Sequence, residues 1–177
     1  MISTQASLEE DNIDFSILYK LDIFGLFNDE ELKKIFDFGS IKTYPKNSNI
    51  VIEGDISPVF YLVLNGKVGL FKTLKDGEEK SMHLISVLEE NDCFGEISLV
   101  QENLPKNFTL SSLSKVTAFI LKKEEFEKLF ASNLELELKF HSSFSYFLSK
   151  RLNSLSDDLV ESYQKLWKLS LEKKASY

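Results

Sequence analysis

The residues best equipped for chemistry lie between Cys93 and Ser112, in the stretch CFGEISLVQENLPKNFTLSS. Phe94, Gly95 and Glu96 open what reads as a short helix. The backbone N–H groups of Ile97 and Ser98 then face outward, and such first-turn donors lack helical partners and attract an anion. Gly95 lets the backbone come close to whatever is bound. Further along, Lys106 offers an ammonium and Asn107 an amide that can donate. Together these are the parts of a cradle for an anion such as a phosphate. Each residue also has a plainer role available: Glu96 as a first-turn acid complementing the helix dipole, Lys106 as a solvated loop lysine.

Other chemistry is poorly supplied. Cys93 is the single cysteine, so no intrachain disulfide or thiolate metal cluster is expected, and His83 and His141 are too few for an imidazole site. No Ser-His-Asp set, Walker loop or paired-carboxylate site emerges. Glu53 and Asp55 sit in EGD and read as turn residues, and Cys93 reads as a small apolar side chain beside the cradle. A catalytic residue, a metal and a cofactor are therefore not expected, and the chain does not read as an enzyme.

The cradle must be positioned by the elements around it. Residues 1–12 read as a flexible, solvated lead-in. Ile17, Leu18, Leu21, Phe24 and Leu26 then supply the apolar face of one helix. Asn28 with Glu31 three residues on gives the capping box of a second, carrying Leu32, Ile35 and Phe36. From Ser40 the period changes to two. Val, Ile, Tyr and Phe alternate with polar residues, broken by turn signals at Pro45–Asn49, Gly54-Asp55, Asn65-Gly66 and Asp76-Gly77. This predicts short antiparallel strands joined by tight hairpins, resumed in LSSLSKVTAFILK after the cradle. About eight strands in a jelly-roll-like β-roll suit the spacing.

After Lys122 the helical period returns in KEEFEKLF, and Leu134 to Lys174 contains neither Pro nor Gly. Leu148, Leu152, Leu155, Leu159, Leu166 and Leu169 fall mostly at alternating steps of four and three, which predicts a long helix with a coiled-coil seam. The fold class is thus α+β, mainly β: a roll flanked by N-terminal helices and a long C-terminal helix. The expected organisation is a lead-in over 1–12, a domain over 13–131 and a lid and dimerisation helix over 132–177.

Composition agrees with a packed domain plus an appendage: 177 residues, 43% hydrophobic and 28% charged. A net charge of −7 disfavours a nucleic-acid partner, which needs clustered Lys and Arg. The N-terminus MISTQASLEEDNIDF has neither a basic start nor an apolar run, so no signal peptide or membrane partner is expected and the protein reads as cytoplasmic.

The order of two helices, EGD, YLVLNGKVGLF, FGEISL, LPKN and a long terminal helix resembles the cyclic nucleotide-binding domain family. That family occurs in catabolite-activator-type regulators, cAMP-dependent kinase regulatory subunits and nucleotide-gated channels. The match runs from about Leu18 to Ser162, with Gly54 and Gly66 at the family's turn glycines. The resemblance implies that Glu96 holds the ribose 2′-hydroxyl and that Lys106 stands where the family's arginine meets the phosphate. An ammonium lacks the planar fork, and one lost charge-assisted hydrogen bond costs on the order of 1.5–3 kcal/mol. Asn107 replaces a hydroxyl residue, and Phe108 replaces a small alanine; its ring either fits inside the roll and leaves the pocket open, or crowds the phosphate. At the base end, Ser154 or Ser156 is in the implied region, while Leu152 and Leu155 face a base equally well.

Metal-binding cupins share the outline but need several strand histidines, and His83 alone is there. Through Tyr177 there is no room for a winged helix-turn-helix, so a self-contained transcription factor is not expected. The resemblance therefore implies a stand-alone sensor or regulatory module that binds a cyclic nucleotide, cAMP or cGMP and more readily cAMP. It would signal through its C-terminal helix as a homodimer to an effector protein. The alternative is a degenerate, ligand-free roll serving as a dimerisation or protein-docking platform.

Overall fold

The two periods of the sequence become elements in a simple order. A computed structural model describes residues 13–76, 79–101, 104–131 and 133–175, so the lead-in over 1–12 and the glycine of the Asp76-Gly77 turn lie outside the described residues. Helix α1 (Asp29–Asp37) is followed by strands β1 (Ser40–Tyr44), β2 (Asn49–Val51), β3 (Val59–Asn65), β4 (Val68–Asp76), β5 (Glu79–Leu88) and β6 (Cys93–Phe94). A one-turn helix α2 (Ile97–Val100) precedes β7 (Thr109–Ser112) and β8 (Val116–Lys122), and helices α3 (Lys123–Ala131) and α4 (Leu134–Ala175) follow.

The capping box is formed as the sequence indicates. Asn28 Oδ1 accepts from the Glu31 N–H at 3.0 Å, and the Glu31 carboxylate accepts from the Asn28 N–H at 2.8 Å. The expected helix before it is instead two 3-10 turns, Phe15–Lys20 and Asp22–Phe24. With three residues per turn, Leu18, Leu21 and Phe24 line up and are buried, whereas Leu26 falls off the line and is 56% exposed.

The strands form two four-stranded sheets, β1-β8-β3-β6 and β2-β7-β4-β5, with every pairing antiparallel. The expectation of successive hairpins is corrected here: among the described residues only β4 and β5 are consecutive partners, and the other connections carry the chain from one sheet to the other or lead into a helix. A roll is closed by such crossovers, because two sheets facing each other must exchange strands to enclose a common core. Gly54 and Gly66 turn the chain with φ of +92° and +97°, and a Cβ on Gly66 would lie 2.3 Å from the Lys115 carbonyl oxygen.

Strict alternation also fails on the two central strands, for a reason visible in the packing. Along β3, Phe60 and Leu62 face the helices while Tyr61 and Val63 face the roll interior; along β8, Phe119 and Leu121 do the former and Ala118 and Ile120 the latter. A strand buried on both faces needs no polar face. Helix α4 joins the outer cluster through Leu136, Phe140 and Phe144, and Lys139 bonds both oxygens of Glu31 at 2.7 and 2.9 Å. Among the described residues no helix is long and apolar enough to cross a membrane.

The capping box generates a direct expectation. Asn28→Ala should lower stability by about 1 kcal/mol and the melting temperature by about 2–4 °C, as read by urea and thermal unfolding. An unchanged melt would show that the Glu31–Lys139 contact holds α1 without its cap.

Candidate functional site

Strand β6 delivers the cradle to the end of the roll. Phe94 pairs with Tyr61 of β3 and their rings stack at 4.6 Å between centroids. Gly95 follows with φ +80°, and a Cβ there would lie 2.2 Å from the Val59 carbonyl oxygen. Its glycine is thus demanded by the close approach of β3. Cys93 is buried, and burial with help from the Glu96 carboxylate pushes its thiol up to about 12, so it packs as an apolar group.

Glu96 is the N-cap of α2, yet its side chain does not cap the helix. It is 6% exposed and accepts a hydrogen bond at 2.6 Å from Nη1 of Arg151, on α4. The Ser98 N–H is taken up within the turn by the Gly95 carbonyl at 3.0 Å, so that donor is spent locally, while Ile97 is 43% exposed at the cavity wall. The Ser98 hydroxyl instead accepts from Lys106 Nζ at 2.5 Å.

Lys106 is not a solvated loop lysine. Its N–H donates to the Asp55 carbonyl at 2.9 Å and its carbonyl accepts from the Gly54 N–H at 2.8 Å, which clasps the loop to the EGD turn and aims the side chain inward. Burial pulls its pKa below the usual lysine range, with the Glu96 carboxylate opposing. The next two residues are fixed from outside. Lys72 on β4 donates to the Asn107 carbonyl at 2.6 Å and to Glu53 at 2.5 Å, and its ammonium lies 5.4 Å from the centre of the Phe108 ring. Glu53 also accepts the Thr73 N–H at 3.2 Å, and its hydrogen bond with Lys72 holds its carboxyl below the ordinary range. Glu53 is therefore more than a turn residue. Phe108, 37% exposed, sits at the rim under Lys72 and leaves the space behind it open.

That space is a cavity of about 540 Å³, large enough for a small ligand. Its polar end is Glu96, Ser98, Lys106 and Arg151; Phe94, Gly95, Ile97 and Asn107 line it as well, so all seven residues singled out in the sequence meet at one place. The α4 wall is Leu148, Arg151, Leu152 and Leu155, whereas Ser156 returns its hydroxyl to the Leu152 carbonyl at 2.9 Å. Sequence reasoning missed Arg151 and Lys72. A signal for the first was present: Arg151 is the only arginine in the chain, three residues after Leu148 and four before Leu155.

Comparison with known proteins gives a coherent set of matches. The family model described as cyclic nucleotide-binding domain matches residues 41–133. The cyclic AMP receptor protein of Thermus thermophilus is 34% identical over 73 residues, 41% of this chain and 32% of that one. The cAMP-dependent protein kinase regulatory subunit of Dictyostelium discoideum is 27% identical over 101 residues, 57% of this chain and 31% of that one. The chain thus spans about a third of the length of these relatives. Among solved structures, the Thermus thermophilus catabolite activator protein superposes with a TM-score of 0.64 at 24% identity, covering 78% of this chain and 62% of that one. A cyclic nucleotide-binding domain from Methylobacillus flagellatus gives 0.67 at 17% identity, covering 83% and 85%. At these identities the superpositions establish the fold.

The buried pair at the site has a measurable consequence. Arg151→Ala leaves the Glu96 carboxylate without its partner and should cost about 1–2 kcal/mol in urea unfolding. Adding Glu96→Gln should recover most of that loss; no recovery would mean that Arg151 stabilises through packing alone.

Proposed function

We propose a function from one established premise: the chain belongs to the cyclic nucleotide-binding domain family. Within it, this protein is a cytoplasmic sensor module that binds cAMP in the roll cavity and reports occupancy through α4, a role of binding rather than catalysis. The observation that carries this reading is the buried Glu96 beside the inward Lys106, with Arg151 of α4 hydrogen-bonded to the same carboxylate.

In this reading the ribose 2′-hydroxyl donates to Glu96. The phosphate lies between Lys106, the Ile97 N–H and the Asn107 amide, and the base lies toward Leu152 and Leu155. Those leucines offer no hydrogen-bond donor or acceptor from their side chains, which favours adenine over the more polar guanine edge. Arg151 couples the site to the helix. A ligand hydroxyl arriving at Glu96 changes the bonding of a group on α4, so ligand and helix position bias one equilibrium. The apolar seam on α4 supports the further reading that two copies associate through that helix and act on an effector protein.

A second reading has its own support. Glu96 is already paired with Arg151, and Lys106 already donates to Ser98, so both polar anchors are satisfied within the chain. Such a roll can serve as a ligand-free dimerisation or docking platform. Calorimetric titration separates the two. For the sensor, cAMP binds at micromolar concentration and more tightly than cGMP, Glu96→Ala abolishes binding, and Lys106→Arg tightens it by about tenfold or more. Absence of heat and of thermal shift at millimolar cAMP would sink the sensor, and binding that appears only in Lys106→Arg would support the platform. Light scattering at micromolar concentration should give twice the chain mass; a monomeric mass would refute association through α4.

A further inference from the structure

From Ser149 to Glu172 every residue of α4 is exposed, and past Leu155, the last α4 residue to line the cavity, roughly 25 Å of helix runs on to Glu172 at 1.5 Å per residue. Leu152, Leu155, Leu159, Leu166 and Leu169 are each 57–65% exposed. Placing Leu152, Leu159 and Leu166 at heptad position a puts Leu148, Leu155, Ser162 and Leu169 at d. In that register the charges segregate. Arg151, Asp158, Lys165 and Glu172 make up the g column, while Ser149, Ser156, Tyr163 and Ser170 make up the e column.

This asymmetry bears on the orientation of a partner. Parallel pairing sets g against e of the other helix, so none of the g charges would meet a charge. Antiparallel pairing sets g against g. With the twofold axis between Asp158 and Lys165, Asp158 faces Lys165 of the second copy and Arg151 faces Glu172 of the second copy, each pair occurring twice. The same register places Leu152 on Leu169 and Leu155 on Leu166 of the second copy, with Leu159 against Ser162. Charge and apolar layers agree on one alignment.

We propose that the partner of α4 is a second copy of this chain lying antiparallel in this register. The proposal rests on the reading of α4 as a dimerisation helix and adds its direction. In the structure Lys165 bonds Glu161 at 2.6 Å, but the pair is 70% and 61% exposed, and such surface pairs exchange at little cost. The rolls, docked near Phe140 on each helix, then lie roughly 60 Å apart along the helix axis and do not collide. Leu152 and Leu155 line the mouth of the cavity, so Leu169 and Leu166 of the second copy cover it. Arg151 bonds Glu96 through Nη1 at 2.6 Å and keeps other N–H donors for Glu172 of the second copy, so one guanidinium belongs to both the site and the interface.

The test uses the full chain in sedimentation and cross-linking experiments. Lys165→Glu should weaken the dimer about tenfold, and adding Asp158→Lys should restore it to within about threefold, because each swapped residue meets the other across the axis. A parallel dimer would be indifferent to both. Oxidised Leu169→Cys should give no covalent dimer, since the two sulfurs lie roughly 25 Å apart in this register, whereas Leu152→Cys with Leu169→Cys should. Cys93 is buried and does not compete. A monomeric wild-type chain would overturn the dimer itself together with its direction. A dimer that Leu169→Cys cross-links to itself, or that the charge swap fails to restore, would overturn the direction alone.

Discussion

A carboxylate with 6% of its surface exposed has given up most of its water and needs a partner in return, and at Glu96 that partner is reached across the molecule. Its own one-turn helix gives it no cap, and the nearest loop cation, Lys106, is engaged by Ser98. The guanidinium of Arg151 supplies the charge from α4, 55 residues further along the chain. The roll is therefore not complete until α4 docks. Two adjacent side chains on that helix bind different parts of the molecule: Lys150 meets Asp22 of the N-terminal 3-10 turn at 2.5 Å, and Arg151 meets the cradle. The position of α4, the entry of the chain and the polar end of the cavity are set together.

Much of the fold was legible because local signals were strong where they had a local cause. The capping box of α1, the switch from period two to the helical period after Lys122, and the unbroken tract after Leu134 each reflect chemistry within a few residues. What was not legible depended on long-range neighbours. Turn residues at Asn65-Gly66 specify a sharp reversal but not which sheet receives the next strand. The double-sided burial of β3 and β8 follows from lying between two apolar layers, which no strand can reveal alone. The 3-10 geometry around Leu18 to Phe24 differs from an α-helix only in where Leu26 falls.

The site shows the same division. Phe94 to Ser98, Lys106 and Asn107 stand out as a set in the sequence because they lie close together in it, and the structure lines one cavity with them. Lys72 and Arg151 do not, because they come from a strand and a helix that meet the cradle only after folding. Glu53 has the sequence context of a turn acid, yet in the fold it anchors Lys72, which in turn holds Asn107 and Phe108 in place. The orientation of the Phe108 ring was open in the sequence for that reason: the residue that decides it is 36 positions away.

The distribution of cations then acquires a physical meaning. In the sensor reading, an arginine in the loop would hold a phosphate with a planar fork and would owe nothing to α4. Here the loop carries the weaker, half-buried Lys106, and the chain's single guanidinium resides on the helix. In that reading, affinity for an anionic ligand bearing a hydroxyl would depend on where α4 sits, because Arg151 is bonded to the carboxylate that would receive the hydroxyl. By linkage such a dependence would be reciprocal: whatever fixes α4 would change the affinity of the cavity, and a ligand in the cavity would change the freedom of α4 by the same factor. On the sensor reading, a loop lysine with a helix arginine would give up some intrinsic affinity and place more of what remains under the control of the helix.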